Sequence, residues 1–263
     1  MTPMLFYDLP VWLSLPAFVV AFLALSWAIL LVLRRWVLRV SHGNLEWDRI
    51  LGYAMATYGV FYGVTVALIA AGAYANFTQV DSLVLHESSS LAALYRDASG
   101  FPEPFGGQMH DHIREYAHFV INTDWPLQAQ GIVPEDSVDE VSRIQDVLFG
   151  FEPTTTAQAS LQQEAIAQFN DFIEARRSRI AATELALPTM MWIVVGVGAV
   201  LNAVLVGLIE VRNLRVHLIM SGLIAVFVAL LIFTIAGFDH PYSGAISITP
   251  EYFQDLLDGV LSK

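Results

Sequence analysis

Residues 50–80 contain no Asp, Glu, Lys, Arg or His, and they lie between Arg49 and Asp81. At about 1.5 Å of rise per residue, a helix of that length more than crosses a ~30 Å hydrocarbon core. Three more apolar blocks, 15–33, 188–209 and 216–238, are long enough to do the same. The first is entered at Ser14 and Pro16 and bracketed by Trp12 and Trp36 at interfacial depth. Between the second and third blocks the period changes. Val80, Leu83, Val84, Leu91, Leu94 and Tyr95 predict one amphipathic helix, and Met109, Ile113, Tyr116 and Val120 a second. Val138, Val141, Ile144 and Leu148 predict a short third. A fourth is entered near Thr154 and carries Leu161, Ala165, Phe169, Phe172, Ile173 and Ile180. Breakers stand at 100–107, 124–136 and 150–153, and a tail helix starts at Pro250 with Phe253, Leu256, Leu257 and Val260 on one face. The fold class expected is all-α: a polytopic membrane protein of four transmembrane helices with an inserted extracytoplasmic helical domain. The parts are 1–79 (tail and two spans), 80–187 (acidic helical domain), 188–238 (two spans) and 239–263 (tail with a short amphipathic helix).

Charge gives the expected orientation. Arg34, Arg35, Arg39, Arg49, Arg212 and Arg215 fall in the two short connections, and residues 1–15 hold no Lys or Arg. The positive-inside rule then puts those connections in the cytoplasm of a multi-pass plasma-membrane protein, with both termini and residues 80–187 outside. Residues 76–187 carry 17 acids against six arginines within a chain of net charge −12, so nucleic acid is excluded as a partner. No cysteine is present, which removes disulfides, thiolate metal sites and a cysteine nucleophile. The cytoplasm receives too little chain for a kinase, cyclase or DNA-binding output. No constellation supports an enzyme, and none calls for a cofactor.

The second span carries a stripe of small residues at Gly52, Ala56, Gly59, Gly63, Ala67 and Ala70, as the third does at Gly196, Ala199, Ala203 and Gly207. Such stripes let helices approach closely, and Gly59 and Gly63 are expected at a helix contact. Tyr53, Thr57, Tyr58, Phe61, Tyr62 and Thr65 are candidates to line a narrow passage, with Phe61 and Val64 able to close it by dewetting. Asn202 has two readings, an interhelical hydrogen bond worth about 0.6 kcal/mol or a pore-lining role. Asp111, Glu115 and His118 share a helix face that reads first as solvated surface and second as a set able to hold Zn²⁺.

Several phrases resemble the bacterial bestrophin-like family of integral membrane proteins: YGVTVALIAAGAYANF, LAALYRDASGFPEP, REYAHFVINTDWP and FDHPYSGAISITPE. The resemblance covers about residues 50–254. It implies two spans, a helical domain and two spans, assembled as a pentamer around the second span, and FYGVT at 61–65 faintly echoes the bestrophin pore helix. It also implies anion passage, whereas the acidic domain would enrich cations, and a cytosolic middle domain, against the arginine count. The expected function is a homo-oligomeric channel-like protein with lipid, copies of itself and small ions as partners. The alternative is a membrane-anchored sensor or scaffold whose outer domain binds a partner or ion and has no pore.

Overall fold

The structure is a computed structural model describing residues 10–40, 45–134, 138–244 and 246–261. As expected, it is all-helical among those residues, and four of its helices are long and apolar enough to cross a membrane. The chain divides into two compact units, one formed by Met1–Ala75 and Ala186–Asp239, the other by Asn76–Leu185 and His240–Lys263.

The first unit holds α1 (Val11–Val40), the beginning of α2 (Leu45–Ala98), α7 (Thr189–Gly207) and α8 (Leu214–Asp239). The third and fourth spans fall within two residues of their expected limits, while α1 runs well past residue 33. Small side chains set the packing. Gly207 lies against Leu30 of α1, where a Cβ would come within 3.3 Å of the Leu30 Cα, and Gly222 of α8 faces Leu23 and Trp27. Val66, Ile69 and Ala73 of α2 bury against Val195 and Ala199 of α7 and Val228, Ile232 and Ile235 of α8. One carboxylate secures the entry to α7, which has no side-chain cap of its own. Asp239 Oδ1 accepts the Leu187 N–H at 2.5 Å and Oδ2 accepts the Trp192 indole N–H at 2.9 Å.

The second unit holds the rest of α2, then α3 (Phe105–Phe119), a π turn (Val120–Asp124), α4 (Trp125–Ala129), α5 (Val138–Gly150), α6 (Thr156–Ala181), a 3₁₀ turn (Ala182–Glu184) and α9 (Glu251–Asp258). Its core joins Val84, Leu91 and Leu94 of α2 to Ile113 and Tyr116 of α3, Ile144 of α5, Phe172 of α6 and Phe253 of α9. The Val138 side chain, assigned to the α5 stripe, lies outside the described residues. Thr155 caps α6 by accepting the Gln158 N–H at 3.2 Å, and Gln158 Oε1 in turn accepts the Thr154 N–H at 2.8 Å. This is the reciprocal arrangement of a capping box, moved back by one residue.

Two elements differ from the reading of the sequence. The second span and the first domain helix are one helix of 54 residues. No Pro or Gly occurs between Asn76 and Ala98, so nothing stops the helix until Gly100 and Pro102. At Asp124-Trp125-Pro126, taken as a breaker, the helix instead widens into a π turn and runs on through Pro126 to Ala129.

Candidate functional site

Helical phase divides the α2 candidates between two faces. Tyr53 and Phe61 are 70% and 71% exposed, and with exposed Thr57, Val60, Val64 and Leu68 they form a stripe at three- and four-residue spacing. Tyr58 and Tyr62 point the other way. Their rings stack at 5.4 Å, the Tyr58 hydroxyl donates to the Gly198 carbonyl, and the Tyr62 hydroxyl donates to the Val195 carbonyl at 3.0 Å. Both fasten α2 to α7. Gly198 makes that contact possible, since a Cβ there would fall 2.1 Å from Tyr62 Cε2. Thr65 is half-buried and returns its hydroxyl to the Phe61 carbonyl at 2.8 Å, and Asn202 is half-buried on α7.

Ala199, Ala203 and Gly207 are buried within the first unit. Gly59 and Gly63 are not. At both, and at Gly52 and Gly72, a Cβ would meet nothing within 4 Å among the described residues. Among the described residues the small-residue side of α2 is therefore left open to close approach. The exposed side of α8 differs in kind, carrying Ile219, Met220, Leu223, Phe227, Leu230 and Leu231. Bulky aliphatic side chains suit lipid tails; glycine, threonine and tyrosine suit protein or water.

The polar face of α3 resolves into ion pairs. Asp111 pairs with Arg114 at 3.1 Å, and Glu115 faces His112 at 3.2 Å and Arg143 at 3.6 Å. His118 uses its carbonyl to accept from Asn122. No group of three or more His, Asp and Glu among the described residues could hold a metal ion.

The sequence reading missed a buried charge network in the second unit. Arg179 is fully buried; its Nε donates to Glu87 at 2.5 Å, its Nη2 to Asp124 at 2.9 Å and its Nη1 to Gln128 Oε1. Its guanidinium also lies 5.9 Å from the Trp125 ring centroid. The Tyr116 hydroxyl donates to Glu87 at 2.5 Å, and the Tyr242 hydroxyl to the Arg179 carbonyl at 3.1 Å. Burial opposes the Arg179 charge, but Glu87, Tyr116 and Asp124 outweigh it and hold the pKa well above the ordinary value. Burial, then the Glu87 charge, pushes Tyr116 up, and burial pushes Tyr242 up. The network clamps α2, the π turn, α6 and the tail to one another. A signal was present in the sequence: Glu87 keeps the phase of Val80, Val84, Leu91 and Leu94, and Arg179 that of Ala165, Phe169 and Phe172. A charge at a core position of a helical stripe marks a buried partner.

Four apolar helices, a helical unit between the second and third of them and a tail returning to that unit coincide with one sequence family. The profile described as Bestrophin-like domain matches residues 20–253. The chain belongs to the bestrophin-like family. Among solved structures it is similar to a bacterial bestrophin homolog from Klebsiella pneumoniae, at 13% identity and a TM-score of 0.61 over 93% of this chain and 98% of that one. A singly substituted form of that homolog gives 14% identity and 0.61 over 95% and 99%. A crystal structure of a membrane protein variant gives 14% and 0.59 over 93% and 98%. At these identities the likeness is one of fold. No curated protein matches the sequence. The bestrophin-like chain thus has two polar features, an open stripe on α2 and a closed charge network around Arg179.

Proposed function

We propose that this bestrophin-like protein assembles with copies of itself into an ion channel, with the open face of α2 toward the axis. The observation that carries the reading is the contrast between the exposed sides of α2 and α8. One presents Tyr53, Thr57 and Phe61 beside glycines at which a Cβ would meet nothing within 4 Å among the described residues, the other chiefly large apolar side chains, its exposed Thr234 bonding back to the Leu230 carbonyl. Tyr58, Tyr62 and Asn202 shape the wall from behind. A hydrophobic band at Phe61, Val64 and Leu68 closes the path by dewetting, and no charged side chain lies in residues 50–80 to couple flux to a second ion. Five copies are proposed from the family plan. The six arginines of the short connections support an orientation with the second unit and both termini outside.

Purified protein in liposomes tests this. Chloride or potassium flux without a coupled gradient is expected, with Phe61→Ala raising it and Thr57→Val lowering it. An assembled oligomer that passes neither ion across pH and voltage returns the protein to the scaffold reading. Impermeant maleimide should label Ser160→Cys in intact cells and Gly43→Cys, outside the described residues, only after lysis. The reverse pattern turns the protein over in the membrane without touching the pore.

A further inference from the structure

The C-terminal part of α1, the turn between α7 and α8 and the start of α2 meet at one end of the first unit. Arg34 Nη2 donates to the Arg212 carbonyl at 3.1 Å, and the Trp47 indole donates to the Leu208 carbonyl at 3.2 Å. Trp36 packs edge-on against Trp47 at 6.0 Å and stays half exposed. Arg35, Arg212 and Arg215 are exposed around this junction, and Glu46, Asp48 and Glu210 are the acids on the neighbouring segments. Arg34 itself is only half-buried, yet its Nε is buried and has no hydrogen-bond partner among the described residues.

We infer that this junction seats the phosphate of an anionic phospholipid. A guanidinium presents donors in a planar fork that matches phosphate oxygens, and one already held by a backbone carbonyl loses little further freedom on binding. Arg34, tied at Nη2 to the Arg212 carbonyl, supplies a guanidinium already fixed in place, and the exposed Arg212 and Arg215 supply the surrounding positive charge. Two features favour a lipid over free phosphate. Tryptophans paired beside arginines belong at headgroup depth. Leu31 and Val32 on α1, with Val216, Ile219 and Met220 on α8, are exposed within two turns of the arginines and offer a bed for acyl chains. The inference uses none of the α2 stripe, so it stands or falls apart from the channel reading.

The experiment uses the full-length protein in a neutral detergent, titrated with phosphatidylglycerol, phosphatidylcholine or inorganic phosphate and read by native mass spectrometry and thermal melting. Phosphatidylglycerol should be retained at one molecule per chain and raise the melting temperature, while the other two leave it unchanged. Arg34→Lys keeps the charge that sets orientation but loses the fork, and should weaken retention roughly fivefold, the scale of one hydrogen bond. Arg39→Lys, on the same helix but outside the junction, should match the unsubstituted protein. Equal stabilisation by phosphatidylcholine overturns the headgroup assignment, and equal stabilisation by inorganic phosphate overturns the lipid. If Arg34→Lys folds and retains phosphatidylglycerol undiminished, general surface charge explains the binding and the site falls. The three titrations of the unsubstituted protein decide the matter even if that variant does not fold.

Discussion

The two compact units of the chain solve opposite problems. The unit built around Arg179 buries charge and large side chains: Arg179, Tyr116, Phe172 and Phe253 are all fully enclosed. The unit holding the apolar helices buries Ala, Gly, Ser and Val at many of its contacts, with a few Leu and Ile, and leaves much of its Trp, Phe, Leu and Ile outside. In water, hiding apolar area drives folding, so the largest apolar groups go in, and a buried charge has to be matched by others. In lipid there is no such drive, because a leucine is as comfortable outside as in. Close backbone approach then decides packing, and small residues decide where it occurs.

The sharpest way to break this contrast is to remove the charge at the centre of the second unit. Arg179→Met leaves Glu87 and Asp124 buried without their counter-ion, and the expected loss is about 3–5 kcal/mol. Chemical unfolding followed by tryptophan fluorescence, weighted to Trp125, reads it. A loss below 1 kcal/mol would show that the network is incidental to that core.

A smaller effect tests the rule in the membrane unit. Gly198→Ala pushes a Cβ into the Tyr62 ring and should cost about 1–3 kcal/mol. Gly196→Ala, two residues away and open to 4 Å, should change the melting temperature little. Equal effects at the two positions would mean that α7 resists alanine for reasons other than contact with α2.

The smallest effect depends on pH. Tyr242 has its pKa raised by burial, so the folded unit keeps a proton that the unfolded chain releases near its ordinary pKa. Its stabilising share is complete below about pH 10 and is lost as the pH rises beyond that. Tyr242→Phe should cost about 0.5–1.5 kcal/mol at neutral pH, the worth of one hydrogen bond, and should flatten the alkaline fall in melting temperature. An unchanged alkaline slope would assign that fall to Tyr116 and the other tyrosines.

The same contrast explains what could be read from the chain. The α7 and α8 helices stood out because uncharged runs with arginines between them have few other physical readings. The length of α2 did not, because a membrane limits an apolar run and not the helix carrying it. The helix continues through polar residues until Gly100 and Pro102 stop it. Glu87 and Arg179 were visible as charges in apolar phase, but attention to the hydrophobic members of each stripe passed over them. Asp124 was beyond reach by spacing alone. The π turn shifts the helical phase just where that residue turns inward. On α2 the candidate list was right in chemistry but undivided in direction. Periodicity found a face of small residues beside tyrosines, and only the packing on α7 separated Tyr58 and Tyr62 from Tyr53, Thr57 and Phe61.

The carboxylate of Asp239 has a consequence in time as well as in space. It satisfies the Leu187 N–H from 52 positions further along the chain. A ribosome adding about 5–20 residues per second therefore exposes the entry of α7 several seconds before its acceptor exists. Through that interval the Leu187 amide and the Trp192 indole lack the acceptor they have in the finished fold. Only when the end of α8 has been made can that pair of hydrogen bonds form. The last residue of the fourth apolar helix thus sets when the third is complete.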